Sequence, residues 1–149
     1  MASTAIKSQG TIVSCSTTYD AAATGYTAIS NIQSANGIGS GSASDIDVTD
    51  LNSTAKEFLQ GIKDEGEISL ALKYDYSDAG QTIVQTAVDG SNLIYWDVEI
   101  PIAGKSTGLR LSFAGTPKTF SKDLGVDAVV DSSITIKVSG AVSITDPVI

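Results

Sequence analysis

The chain predicts a mainly β fold: an antiparallel β-sandwich or rolled sheet with one short α-helix at about 53–61 and room for a second at about 78–89. Three observations carry this reading. Segments rich in Ile, Val, Thr and Tyr recur along the 149 residues, and such residues suit a pleated, half-buried surface. Most of them alternate apolar with polar, which is the period of a strand with one face on a core. Helical spacing, by contrast, is confined to two short stretches.

Taken in order, residues 1–10 read as a flexible N-terminal arm, and Thr11–Ser16 and Tyr26–Ile32 as strands. Residues 33–44, with the run SANGIGSGSAS and one apolar residue, Ile38, read as a long flexible loop. Ile46 and Val48 alternate as a short strand. Asn52 and Ser53 offer side-chain oxygens to a helix start, and Ala55, Phe58, Leu59 and Ile62 follow at i, i+3, i+4, i+7, with Gly61 placed to end the helix. Period two returns at Glu67, with Ile68, Leu70, Leu72 and Tyr74 on one side. Asp78 can start the second helix, whose apolar face is Ile83, Val84, Ala87 and Val88, before a DGSN turn at 89–92.

Leu93–Ile100 is a clear strand, with Ile94, Trp96, Val98 and Ile100 alternating with Tyr95, Asp97 and Glu99. Leu109, Leu111 and Phe113 alternate again, and Pro117 signals a bulge or an edge. Ser133–Ser139 and Ala141–Thr145 form the last pair, with Gly140 as a bend or bulge within one long strand, and 145–149 reads as a tail. The whole chain, 1–149, reads as one domain, and this length can bury about 70% of its extended surface.

Bulk composition excludes several functions. Nine Lys and Arg stand against seventeen Asp and Glu, for a net charge of −8, and the cations form no cluster. Specific nucleic-acid binding needs a cationic footprint, so DNA meeting this protein is expected to pass it rather than be held. Charged residues make up only 17% of the chain, below the usual quarter, as in proteins that cover their surface with copies of themselves. Cys15 has no partner in the chain and reads as a small buried apolar residue. No apolar window suits a membrane span or a secretory signal, so synthesis in the cytosol without membrane attachment is expected.

Catalytic chemistry has little to work with. Histidine is absent, which removes the usual serine triads and histidine-ligated zinc. Asp64, Glu65 and Glu67 could form a carboxylate pair, but they flank Gly66 and read as a solvated turn. Asp45, Asp47 and Asp50 resemble a calcium loop only superficially, because Ile46 and Val48 intervene and neither the turn Gly nor the closing Glu follows. The GIGSG run at Gly37–Gly41 lacks the Lys-Ser/Thr pair of a phosphate loop. Trp96, on a strand face with Ile94 and Val98, reads as core. The expectation is a protein that is not an enzyme and holds no metal or cofactor.

The order and wording of DVTDLNSTAKEF…GIKDEGEISL (47–70) resemble the major tail tube proteins of long-tailed, lambda-type bacteriophages, with looser similarity in ISNIQSANGIG and ITIKVSGAVSIT. The resemblance implies a structural virion protein. Its copies would form hexameric rings that stack into a hollow tail tube around a tape-measure protein, meeting tail terminator and tail tip proteins at the ends. DNA would pass through during infection without specific binding. It implies assembly in the host cytoplasm and residence in the virion tail. It further implies ring stacking by the loop before DIDVTDL, making Ser34, Asn36, Gly37, Ile38, Gly39 and Gly41 stacking candidates. Deleting 34–43 is then expected to leave a folded monomer that cannot polymerise. Glu67, Asp97 and Glu99, on polar strand faces, are candidates for an acidic lumen wall. A β-sandwich binding module of adhesin type fits the same composition, and a subunit of a type VI-like secretion tube would share the ring-forming logic.

Overall fold

The computed structural model describes residues 9–19, 25–39, 41–126 and 129–147. Most of the N-terminal arm and the end of the C-terminal tail lie outside them. The mainly β expectation holds: nine strands and one helix are described. Seven strands form one antiparallel sheet in the order β2 (Thr27–Ala28), β1 (Ile12–Ser16), β7 (Ile94–Ile100), β8 (Leu109–Asp123), β9 (Asp131–Thr145), β6 (Glu67–Lys73), β3 (Ile32–Asn36). The sheet curls into a half-barrel, so that β1 and β3, near its opposite ends, line one groove of about 530 Å³.

The inner face is the core. Val13 and Cys15 of β1, Ile94, Trp96 and Val98 of β7, Ile68, Leu70 and Leu72 of β6, and Ile134, Ile136 and Val138 of β9 are all buried. Period-two alternation delivers each set to one side. Trp96 stacks on Phe113 with centroids 6.3 Å apart, and its indole N–H donates to the Gly115 carbonyl at 3.1 Å. It is a core residue, as expected.

Two bulges keep long strands in phase. Across Pro117 and Thr119 the register of β8 on β9 shifts by one, leaving Lys118 unmatched. That extra residue turns Phe120 inward, where an uninterrupted alternation continuing from Phe113 would point it outward. A second shift opposes Ser112–Ala114 to Ser139–Ser143, and Gly140 takes φ +83° there, a conformation that only glycine adopts without strain. Both irregularities match the sequence signals at Pro117 and Gly140.

The helix α1 (Ala79–Gly90) closes the core, so the second predicted helix is present. Asp78 caps it, accepting from the backbone N–H of Gln81 at 3.0 Å and of Ser30 at 3.2 Å. Val84 and Ala87 are buried and Ile83 and Val88 partly so. Gly80 lies so close to β2 that an added Cβ would come within 2.4 Å of the Ala28 carbonyl. Gln81 is buried and satisfied: its Nε2 donates to the carbonyls of Ser30 and Lys73, each at 3.1 Å, and its Oε1 accepts from the N–H of Asp75 at 2.9 Å. None of the described helices is long and apolar enough to cross a membrane.

Cys15 sits beneath this helix, its thiol 3.8 Å from the Gly80 carbonyl. Burial, helped by the charge of Asp78, pushes its pKa up to about 12. The thiolate is the reactive form, so Cys15 will resist alkylation in the native protein and react only as the protein unfolds. Maleimide labelling across a urea titration, tracking the unfolding curve, checks this.

The first predicted helix is absent. Residues 51–52 form a turn, 53–57 are irregular with a bend at 54–55, and Phe58–Asp64 is a strand, β5, paired antiparallel with β4 (Ser42–Asp47). The 33–44 segment is not one long loop: Ile32–Asn36 pairs with β6 and Ser42 opens β4. The strand read at Tyr26–Ile32 is broken into β2 and the start of β3. At the C-terminal end, β9 continues through Thr145, the first residue of the expected tail.

Candidate assembly surfaces

The β4–β5 hairpin forms a sheet of its own, apart from the half-barrel. Its register places Ile46 opposite Leu59 and Asp47 opposite Phe58, so apolar side chains appear on both faces. Ile46, Val48, Phe58 and Leu59 are exposed, and Leu51 at the tip and Ile62 are 104% and 96% exposed. A two-stranded hairpin is marginal by itself in water, and a contiguous exposed apolar surface marks an interaction site.

Polar side chains hold the tip in shape. The ladder continues as Val48 N–H donates to the Glu57 carbonyl at 3.0 Å. The Thr49 hydroxyl accepts from the Glu57 N–H at 2.8 Å, and Asp47 accepts from the Thr49 N–H at 2.9 Å. Asp50 accepts from the Asn52 N–H at 2.9 Å and the Ser53 hydroxyl at 3.1 Å. Asn52 and Ser53, expected as helix caps, serve a turn instead; of the aspartates weighed as a calcium loop, Asp47 and Asp50 are turn acceptors and Asp45 lies within β4.

The stacking candidates divide between two environments. Ser34 and Asn36 are exposed on β3, whose far edge has no ladder partner among the described residues. Gly37 and Gly39 have φ of +90° and +77° in the connection that follows. Ile38, the one apolar residue of the expected loop, is partly buried and packs against the core. Gly41 presses against the hairpin base, where a Cβ would come within 2.1 Å of the Asp64 carbonyl. Ile32, Ala35 and Ile38 face Val13, Ile100 and Leu111 across the open groove of the half-barrel.

The outer face of the sheet is polar. Pairing of Glu67 with Lys137, of Lys137 with Thr116 and of Asp97 with Ser112 places Glu67, Asp97 and Glu99 on that one face. Their surroundings differ. Glu67 is exposed and bonded to Lys118 at 2.8 Å. Asp97 is 4% exposed, accepting from Arg110 Nε and Nη2 at 3.3 and 3.2 Å and from the Ser112 hydroxyl at 2.7 Å. Glu99 is half-buried and accepts from the Gly108 N–H at 3.1 Å. Glu65, read as solvated, is buried, 3.5 Å from Lys63.

Asp64 and Glu67 sit where β5 meets β6. The Gly66 N–H, then the hydrogen bond and charge of Lys137, hold the Asp64 carboxyl below the usual range. The Lys118 hydrogen bond and charge do the same to Glu67. A carboxylate with a depressed folded pKa stabilises above its unfolded value, and that contribution disappears as pH falls through the folded value. Thermal stability is therefore expected to drop on acidification below about pH 4. Lys118→Met/Lys137→Met will show a shallower drop in melting scans from neutral to acid, because its carboxyls titrate nearer their ordinary values.

Residues 4–148 match the family described as phage tail tube, TTP, lambda-like. No curated protein sequence matches the chain. Among solved structures, the tail of an empty gene transfer agent particle, refined with C6 symmetry, is 20% identical with a TM-score of 0.68, covering 95% of this chain and 99% of that one. The SPP1 tail tube is 14% identical with a TM-score of 0.72, covering 97% and 81%. A sheath/tube terminator of an extracellular contractile injection system is 12% identical with a TM-score of 0.69, covering 97% and 99%. The likeness establishes a common fold, and the match over almost the whole sequence establishes that the chain belongs to the lambda-like phage tail tube protein family.

Proposed function

We infer that six copies of this subunit close into a ring and that rings stack into the hollow tube of a phage tail, with the polar sheet face lining the channel. The observation that carries the reading is the hairpin with apolar side chains on both faces, in a chain of the tail tube family. Such an element gains its burial from neighbours. The edge of β3 that no described strand covers, together with the β1–β2 edge, lets the sheet continue from one subunit to the next, which removes edges open to aggregation. The two contacting surfaces differ, so the interface is heterologous: it closes around the ring and repeats along the axis without a built-in end.

Ring stacking belongs to the hairpin and to the Ser34–Gly41 segment leading into it. A tape-measure protein inside the tube would set its length, with terminator and tip proteins closing the ends. Glu67, Asp97 and Glu99 then face the channel through which DNA moves. Negative-stain electron microscopy of the purified protein over a concentration series tests the reading. Rings or hollow tubes of uniform width are expected, and a particle that stays monomeric even when seeded with assembled tails would overturn it.

A further inference from the structure

The polar sheet face carries four cations among the described residues, Lys73, Arg110, Lys118 and Lys137, and each meets a carboxylate. Lys118 Nζ is 2.8 Å from Glu67. Lys137 Nζ is 3.0 and 3.2 Å from the two oxygens of Asp64, which reaches over from β5. Arg110 Nη2 is 3.2 Å from Asp97, and Lys73 is bonded to Asp131. Glu99 lies on the same face, as does Asp123, which stands opposite Asp131. Between these charges the face is hydroxyls: Ser69, Ser112, Thr116, Ser121, Ser133 and Thr135.

We propose that Asp64, Glu67 and Asp131 mask Lys137, Lys118 and Lys73 from the phosphates of DNA, so that the face repels adhesion through pairing and not through net acidity alone. The argument is one of counterions. A free lysine that contacts a phosphate releases a condensed cation, and this release drives binding. A lysine held by a carboxylate releases no net cation, because the displaced carboxylate must recruit one. The pairs need not be strong, and exposed ones rarely are. They need only keep opposite charges well within a Debye length, about 8 Å at physiological salt. This role rests on the polar face lining the channel, but the masking is a property of the single subunit and can be measured there.

The test compares Asp64→Asn/Glu67→Gln/Asp131→Asn with Asp45→Asn/Asp47→Asn/Asp50→Asn, which changes net charge equally but in the hairpin. Binding to a fluorescent duplex of about 20 bp is followed by anisotropy over a salt series from about 50 mM. The first variant is expected to bind with a log–log salt slope of about −3, one unit per freed lysine, while the wild type and the hairpin variant stay unbound. Equal binding by both variants, or by neither, would overturn the masking. The three carboxylate side chains are 47–66% exposed, so folding should survive. Glu67→Gln alone, freeing Lys118, should give a slope of about −1 if the triple variant is unstable. Assembled tubes of the triple variant should also shield duplex from nuclease. Subunits that bind while tubes shield none would keep the masking and remove the channel assignment.

Discussion

Replacing Leu51 and Ile62 together by Asp will abolish tube formation and leave the subunit folded. Both side chains are fully exposed in the subunit, so neither contributes burial to its folding, and melting temperatures should agree within about 2 °C with the wild type, as for surface substitutions of small effect. Assembly is different. Burying each side chain against a neighbour is worth about 1.5–3 kcal/mol, and an Asp in its place would have to shed water from a charge without a partner. Losing both side chains costs about 3–6 kcal/mol per subunit, which raises the concentration needed for tubes by roughly 10²–10⁴-fold. Sedimentation and electron microscopy at a concentration where the wild type is fully assembled will read this directly. Leu51→Ser/Ile62→Ser separates lost burial from added charge and should fail at the same step. Normal tubes from either variant would remove the hairpin from the assembly contacts. Deleting residues 34–43 is a poorer test than their composition suggests, because it removes Ser34–Asn36 from the ladder with β6 and the start of β4.

The elements legible in the sequence were those whose signals are local. Asp78 with the Ile83, Val84, Ala87, Val88 stripe specified α1, since the cap and the buried face lie within one helix length of each other. Pro117 and Gly140 marked bulges because their backbone chemistry allows little else. The helix expected at 53–61 failed for a physical reason. The spacing of Ala55, Phe58, Leu59 and Ile62 selects a helix only if that stripe is buried on the subunit's own core, and here Phe58, Leu59 and Ile62 stay exposed. The subunit's own core does not bury them, so neither period is enforced there, and pairing with Ser42–Asp47 decides. The Gly- and Ser-rich run after Gln33 misled in the opposite way. Backbone ladders need no particular side chains, and Ala35 opposite Leu70 or Asn36 opposite Ser69 is a contact between residues far apart in sequence. The same limit applied to the acidic candidates. Alternation placed Asp97 and Glu99 on one polar face, but capture of Asp97 by Arg110 and Ser112 depends on which strand lies alongside.

That capture gives the second large effect. Asp97→Ala is expected to destabilise the subunit by about 3–5 kcal/mol, the usual consequence of leaving one partner of a buried ion pair without the other. The carboxylate of Asp97 is 5% exposed and the Arg110 side chain 17%, so a little water can reach the stranded guanidinium and the lower end of that range applies. The Ser112 hydroxyl, 2.7 Å from the same oxygen, also loses its acceptor. At about 2–4 °C per kcal/mol for a domain of this size, the melting temperature should fall by roughly 10 °C. Arg110→Ala in the Asp97→Ala background should restore part of the loss, because no charge is then left buried without a partner. The cycle should return a coupling of about 1–3 kcal/mol. Asp97→Asn keeps the shape and an acceptor for Ser112 while removing the charge, and should fall between wild type and Asp97→Ala. A double variant less stable than Asp97→Ala would show that Arg110 stabilises through its aliphatic stem against the sheet and not through the pair. The same measurement bears on the channel. If the pair is needed only to keep β7 and β8 in register at their polar face, tubes from Asp97→Asn should form normally below the lowered melting temperature. If Asp97 also supplies charge that DNA senses, those tubes should assemble and then retain DNA.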